Sequence, residues 1–339
     1  EAAIDHMVAN VPIKANYRTN ILGNLITEQN EYTVTIDTKW ADEEYTKYVA
    51  NTAAGLQELI NEAEEPVEIS LTGDITLSDL AALIISKAGA KTYGISIAAG
   101  KDVVLDLNGY SISDVDESLV GYSMIYNNGN LTIQNSSETE SKLTLKAVNE
   151  RNTTYFSSVI TNGSCGVLNI TENITVEHLG GTYMAYGIDA LTNGGTGATE
   201  TVIDGTTIKS TYRAVRQFLN SDSCMNELTV MSGSTLIAPN KGVFFQDPSA
   251  KANKGKLVIE NGANVGTVYL YVTEGSTEWP VEVSVASAAL KGGSKVTWEN
   301  LPAGYSVTEQ DGVWTVNYSA AAKIGDAEYG SLQQAIEAV

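Results

Sequence analysis

One pattern recurs five times along the middle of the chain: GNLTIQNSSE from residue 129, GVLNITENIT from 166, ETVIDGTTIK from 200, NELTVMSGST from 226 and GKLVIENGAN from 255. Aligning Ile133, Ile170, Ile203, Val230 and Ile259 gives spacings of 37, 33, 27 and 29 residues. A drifting period near thirty constrains the fold more than any composition does, because a unit of that size cannot bury its own apolar face and must stack on its neighbours.

Two further strand-like segments accompany each copy. Before it stand SMIYNNG, SSVITNG, YGIDALTNGG, RAVRQFLN and KGVFFQD, with Ile125, Ile160, Ile188, Val215 and Phe244 as the equivalent apolar positions. After it come KLTLKAV, TVEHL, TIKST, TLIAP and TVYLYV. Three short strands per period, rich in Val, Ile, Thr and Tyr and punctuated by Asn and Gly, predict a mainly β fold: a right-handed parallel β-helix. The competing β-sandwich would want tight Asn-Gly turns throughout. NNGN at 127–130 could supply one, but the other interstrand lengths vary and the aligned columns would have no cause.

An open stack exposes an apolar cross-section and unpaired strand edges, so it needs a cap. AAGLQELINEAEE, residues 53–65, predicts that capping helix, with Leu56, Leu59, Ile60 and Ala63 on one face. Residues 95–113 then read as an opening coil, with Val103, Leu105 and Leu107 inward and a turn at Asn108-Gly109. The expected organisation is a terminal β segment over 1–48, the β-helix over 49–277, a short β segment or irregular last coils over 278–319, and a linker with a second capping helix over 320–339. That last helix, in EYGSLQQAIEAV, repeats the pattern of 53–65 and is expected to cap a following solenoid, as in a longer modular protein.

The first 48 residues have another texture. VANVPIKANYRTNILGNLITEQNEYTVTID, residues 8–37, forms two alternating strands around Asn24. This stretch resembles the closing segment of fimbrillin-like proteins, bacterial surface adhesins whose final domain ends on a similar NYRTNI-containing run and a following strand. The resemblance covers those thirty residues only. It implies an exported, outer-membrane-associated protein at the cell surface, anchored through an upstream lipoprotein region. No sandwich is left here for the segment to complete, so pilus polymerisation does not carry over. The following solenoid resembles the pectate-lyase-like fold.

Charge and rare residues narrow the chemistry. A net charge of −21 without any Lys/Arg stripe argues against nucleic acid and anionic membranes as partners. No run of eighteen apolar residues predicts a membrane span. His6 and His178 are the only histidines, and Cys165 and Cys224 fit no metal spacing, so no metal or cofactor is expected. Asp106, Asp114 and Asp116 read as turn chemistry rather than a Ca²⁺ loop, and His178 as a surface strand residue. Counting coils places the cysteines at one azimuth but two coils apart, nearly ~10 Å at ~4.8 Å per strand, too far for a disulfide.

One column stands out on the first strand. The position after the buried apolar residue reads Tyr126, Thr161, Asp189, Arg216, Phe245. An acid and an arginine on neighbouring coils, flanked by Tyr126 and Phe245 with Tyr183, Tyr186 and Tyr212 near, form the candidate ligand-binding face: Tyr126, Asp189, Arg216, Tyr212 and Phe245. The bland reading of the pair is a lateral ion pair on a solvated sheet, worth under ~1 kcal/mol. Asp189 has no second carboxylate at an equivalent position, as a glycosidase would need. The expected function is therefore non-enzymatic: an adhesin presenting a face to a glycan or host surface protein. A polysaccharide lyase or hydrolase, and a structural spacer, are the alternatives.

Overall fold

The computed structural model describes residues 19–23, 32–36, 46–77, 92–115, 122–147, 156–163, 165–181, 183–192, 196–221, 224–247 and 255–339. Two compact units divide the chain, residues 1–47 and 48–339. In the first, Thr19–Gly23 pairs antiparallel with Tyr32–Ile36. This is the hairpin expected around Asn24, which itself lies outside the described residues along with most of the fimbrillin-like stretch.

The second unit is a right-handed parallel β-helix. Its three sheets hold eight, eleven and seven strands, here called first, second and third in the order the chain visits them within a coil. The second-sheet register runs Ile69, Leu105, Ile133, Ile170, Ile203, Val230, Ile259 and Val285, a column that contains all five aligned repeat positions. Every member is buried. Each such side chain contributes roughly 1.5–3 kcal/mol, so the column is a principal source of stability. The third sheet stacks Ile75, Ile112, Leu143, Val176, Ile208, Leu236 and Val265 in the same way.

One detail differs from the expectation. The segment containing Val268–Val272 is not a third strand of the fifth coil. It pairs with Lys241–Asp247 and opens a further coil of the first sheet, while the short Asn264–Val265 takes the third-sheet place. The parallel stack runs beyond residue 277, because Val281–Ala286 pairs parallel with Gly255–Ile259, and Val296–Glu299 with Val268–Val272. Only then does an antiparallel hairpin, Tyr305–Gln310 with Val313–Tyr318, join the edge of the second sheet.

The leading cap is helix α1, Ala53–Glu62, started by Thr52, whose hydroxyl accepts from the Gly55 N–H. It buries Ala53, Leu56 and Ile60 in the core. Its Gln57 does more than cover apolar surface. The Gln57 amide donates to the Ser96 carbonyl at 2.9 Å and accepts from the Ser96 N–H at 2.7 Å, standing in for the missing neighbour of edge strand Thr92–Ile97. Helix α2, Leu332–Glu337, has the same kind of Ser331 cap, yet Leu332, Ile336 and Val339 are exposed.

Turns between the first and second sheets are held by an asparagine ladder. Asn127 and Asn162 sit in register and inaccessible to solvent. The Asn127 Nδ2 donates to Asn162 Oδ1 and to the Val167 carbonyl, both at 2.9 Å, and its Oδ1 accepts from the Gly129 N–H. Asn162 Nδ2 in turn donates to the Gly166 and Glu200 carbonyls. Gly166 is required there, since a Cβ would lie 2.5 Å from Asn162 Oδ1. Removing a buried amide strands its partners, so Asn162→Leu is expected to cost about 2–3 kcal/mol, read as a lowered urea midpoint. Asp106 has the turn role expected of it: its carboxylate accepts from the Asn108 and Ser136 N–H groups and from the Ser136 hydroxyl. The Asn108-Gly109 turn has positive φ at both residues. Asp116 lies outside the described residues.

Candidate functional site

The first sheet turns alternate residues outward, and its register brings Ser96, Tyr126, Thr161, Asp189, Arg216, Phe244, Tyr269 and Thr297 into one outward column. Asp189 and Arg216 are therefore paired neighbours, as the repeat alignment required. Phe245 is not in this column. Val243, not Phe244, aligns with Val215, so Phe244 faces out and Phe245 is buried in the core against Trp279 at 5.7 Å. A one-residue slip exchanges faces along a whole strand, and two adjacent phenylalanines hid it.

The Asp189–Arg216 pair is not on a solvated face. Arg216 Nε donates to Asp189 Oδ1 and Nη2 to Oδ2, each at 2.7 Å, while the side chains are 7% and 0% exposed. The rings of Phe156, Tyr186 and Phe218 lie 4.6, 4.7 and 4.6 Å from the guanidinium carbon. Burial works against the Arg216 charge, but the Asp189 carboxylate and Tyr186 outweigh it and hold its pKa above the usual value. With both carboxylate oxygens engaged by one fork, neither residue presents a group to a sugar on the surface. The pair organises the face rather than touching a ligand.

What the face does present is aromatic rings and two cations. At one end Tyr126 and Tyr93, both half-buried, stack at 4.7 Å. Burial first, then Tyr93 and Asp189, raise the Tyr126 pKa, so its hydroxyl stays protonated. Between Tyr126 and Asp189, the hydroxyls of Ser123, Ser158 and Thr161 close a buried triangle with edges of 3.1, 2.7 and 2.6 Å. Tyr212 packs against Tyr183 and Tyr186. Beyond it a second outward column sets Tyr186, Arg213 and Lys241 on successive coils.

Arg213 lies 3.7 Å over the Phe244 ring and 4.5 Å from that of Tyr212, and Lys241 is 5.0 Å over Tyr269. Phe244 and Tyr269 are themselves stacked at 5.5 Å, 11° from parallel. Burial, then the Arg213 charge, depress the Lys241 pKa. The Arg213 Nε is buried without a hydrogen-bond partner, and among the described residues neither cation forms an ion pair. Sequence reading found Tyr126 and Tyr212 but missed Tyr93, Arg213, Lys241, Phe244 and Tyr269. The signal was present: Val243 placed with Val215 puts Lys241 beside Arg213.

His178 is the other correction. It is buried rather than a surface residue. Among the described residues, no group of three or more His, Cys, Asp or Glu side chains is placed to hold a metal.

A family model described as a family of unknown function (DUF6562) matches residues 2–70, which run from the terminal β segment through helix α1 into strand Val67–Leu71 of the second sheet. No curated protein and no solved structure matches the chain.

Proposed function

We propose that this chain belongs to a non-enzymatic bacterial cell-surface protein, an adhesin that binds an acidic glycan on the outer face of the first sheet. The observation that carries the reading is the Arg213/Lys241 pair. In a chain of net charge −21, two like charges are held on adjacent coils and over ring faces, without a carboxylate between them. Like charges at that spacing repel, and an anion placed across both relieves the repulsion. The half-buried Tyr212 and Tyr269 rings supply apolar faces suited to a pyranose, and the buried Phe244 ring packs against Arg213 and Tyr269 beneath them. The fimbrillin-like stretch supports the surface setting.

A glycan array of neutral, uronate-bearing and sulfated sugars tests this. Binding is expected to the acidic members, and to fall at least about tenfold in an Arg213→Gln/Lys241→Gln double variant and with added salt. The far-UV spectrum and thermal midpoint of the double variant control for folding. Binding that survives the double substitution sinks the site. Release of reducing or unsaturated ends from any acidic polysaccharide sinks the non-enzymatic reading, and selective binding to a host protein with no glycan signal sinks the glycan.

A further inference from the structure

Coil counting separates Cys165 from Cys224 by two coils, yet their Sγ atoms lie 3.2 Å apart. Local geometry explains the contact. Gly197–Ile203 and Cys224–Val230 begin three residues before the start of Val167–Ile170, which pairs at Val167 with Glu200. Cys165, at φ 61°, leans over that overhang, its N–H donating to Thr199 Oγ1 at 2.9 Å and its thiol to the Thr196 carbonyl at 3.0 Å. The residue opposite Cys224 on the intervening strand is Gly197, at φ 118°. With no side chain there, the two sulfurs meet across the middle coil.

We propose that Cys165 and Cys224 are the site of a disulfide that staples the second repeat to the fourth, across the glycine of the third, when the chain meets a disulfide oxidant. Closing the gap needs about 1.2 Å of sulfur movement toward a bond of ~2.05 Å. Cys165 is half-buried and Cys224 inaccessible, which fixes the order of events. Cys165 loses its proton to solvent and attacks an external disulfide, releasing one thiolate and forming a mixed disulfide. Cys224 then loses its proton and attacks the Cys165 sulfur, releasing the second. Two protein thiols are oxidised, one external disulfide is reduced to two thiols, and two electrons are transferred. Burial, followed by the Cys224 thiol, holds the Cys165 pKa up to about 11, so the first step is slow at neutral pH and base-accelerated.

The test uses the full chain, fully reduced and then incubated with oxidised glutathione. Samples are denatured in N-ethylmaleimide and mapped by mass spectrometry. Expected is the joint loss of both alkylatable thiols, one peptide pair linking Cys165 to Cys224 within a chain, and reversal by dithiothreitol. The rate is expected to rise about tenfold per pH unit from 7 to 9. Cys224→Ser is expected to stop at a glutathione adduct on Cys165, and Cys165→Ser to react only after unfolding. Wild type that keeps both thiols, stops at the Cys165 adduct, or links only between chains overturns the proposal. A rate independent of pH overturns Cys165 as the first nucleophile.

Discussion

Replacing Asp189 with alanine is expected to destabilise the β-helix by about 3–5 kcal/mol, the cost of leaving a buried guanidinium without its counter-ion. Arg216 cannot escape by losing its proton, because an arginine stays charged at any accessible pH. Nor can it turn readily to water, since Phe156, Tyr186 and Phe218 surround it and only 7% of its side chain is exposed. The double variant Asp189→Leu/Arg216→Met removes both charges and keeps the volume apolar, so it is expected to recover most of the loss. Urea unfolding of the three proteins at pH 7.5 checks this. A single-variant cost below ~1 kcal/mol, as for an exposed pair, would show that the fork is solvated. Stacked repeats depend chiefly on their nearest neighbours, so hydrogen exchange in Asp189→Ala should quicken first in Ala185–Thr192 and Arg213–Leu219.

The second-sheet column was legible because its strands alternate cleanly: in Asn130–Gln134 the pattern is half-buried, buried, half-buried, buried, half-buried, and the repeated Ile or Val marks the same point each time. The first sheet erased that signal. Met124 with Ile125, Val159 with Ile160 and Ala214 with Val215 all join the core as adjacent pairs, and the outward residues are covered as well. Strands buried on both faces lose their period-2 pattern, and Phe244 and Phe245 could then be exchanged without penalty on paper. Pairing of Asp189 with Arg216 survived the error because it depends on coil alignment, not on which face is wet. Its burial did not follow, since that depends on rings brought from other positions. The cysteines were misplaced for a different reason. Strand spacing gives the separation of backbones, whereas their contact comes from a positive-φ turn, a strand overhang and a glycine.

Acid is expected to expose the second large effect, at His178. Its Nδ1 accepts from the Gly180 N–H at 3.3 Å, which makes Nε2 the protonated nitrogen, donating to Ser157 Oγ at 2.7 Å. The residues paired with it on the adjacent coils are Leu145 and Ser210, which offer no negative charge. A second proton would have to go on Nδ1, against the Gly180 N–H and in a site that is 1% exposed. Burial accordingly lowers its pKa to about 4 from an unfolded value of 6.5. Between those values the unfolded chain binds more protons than the folded one, so the contribution is complete above pH 6.5 and drains away as pH falls through 4. Its full size is about 3 kcal/mol. Carboxylates titrate in the same window, so the measurement is a difference: unfolding free energies of wild type and His178→Gln at pH 7.5, 6, 5 and 4. Because glutamine cannot take the proton, the gap between the two proteins should move by about 3 kcal/mol in favour of glutamine from the first pH to the last. A gap that stays constant would mean that the imidazole is solvated or already charged in the fold.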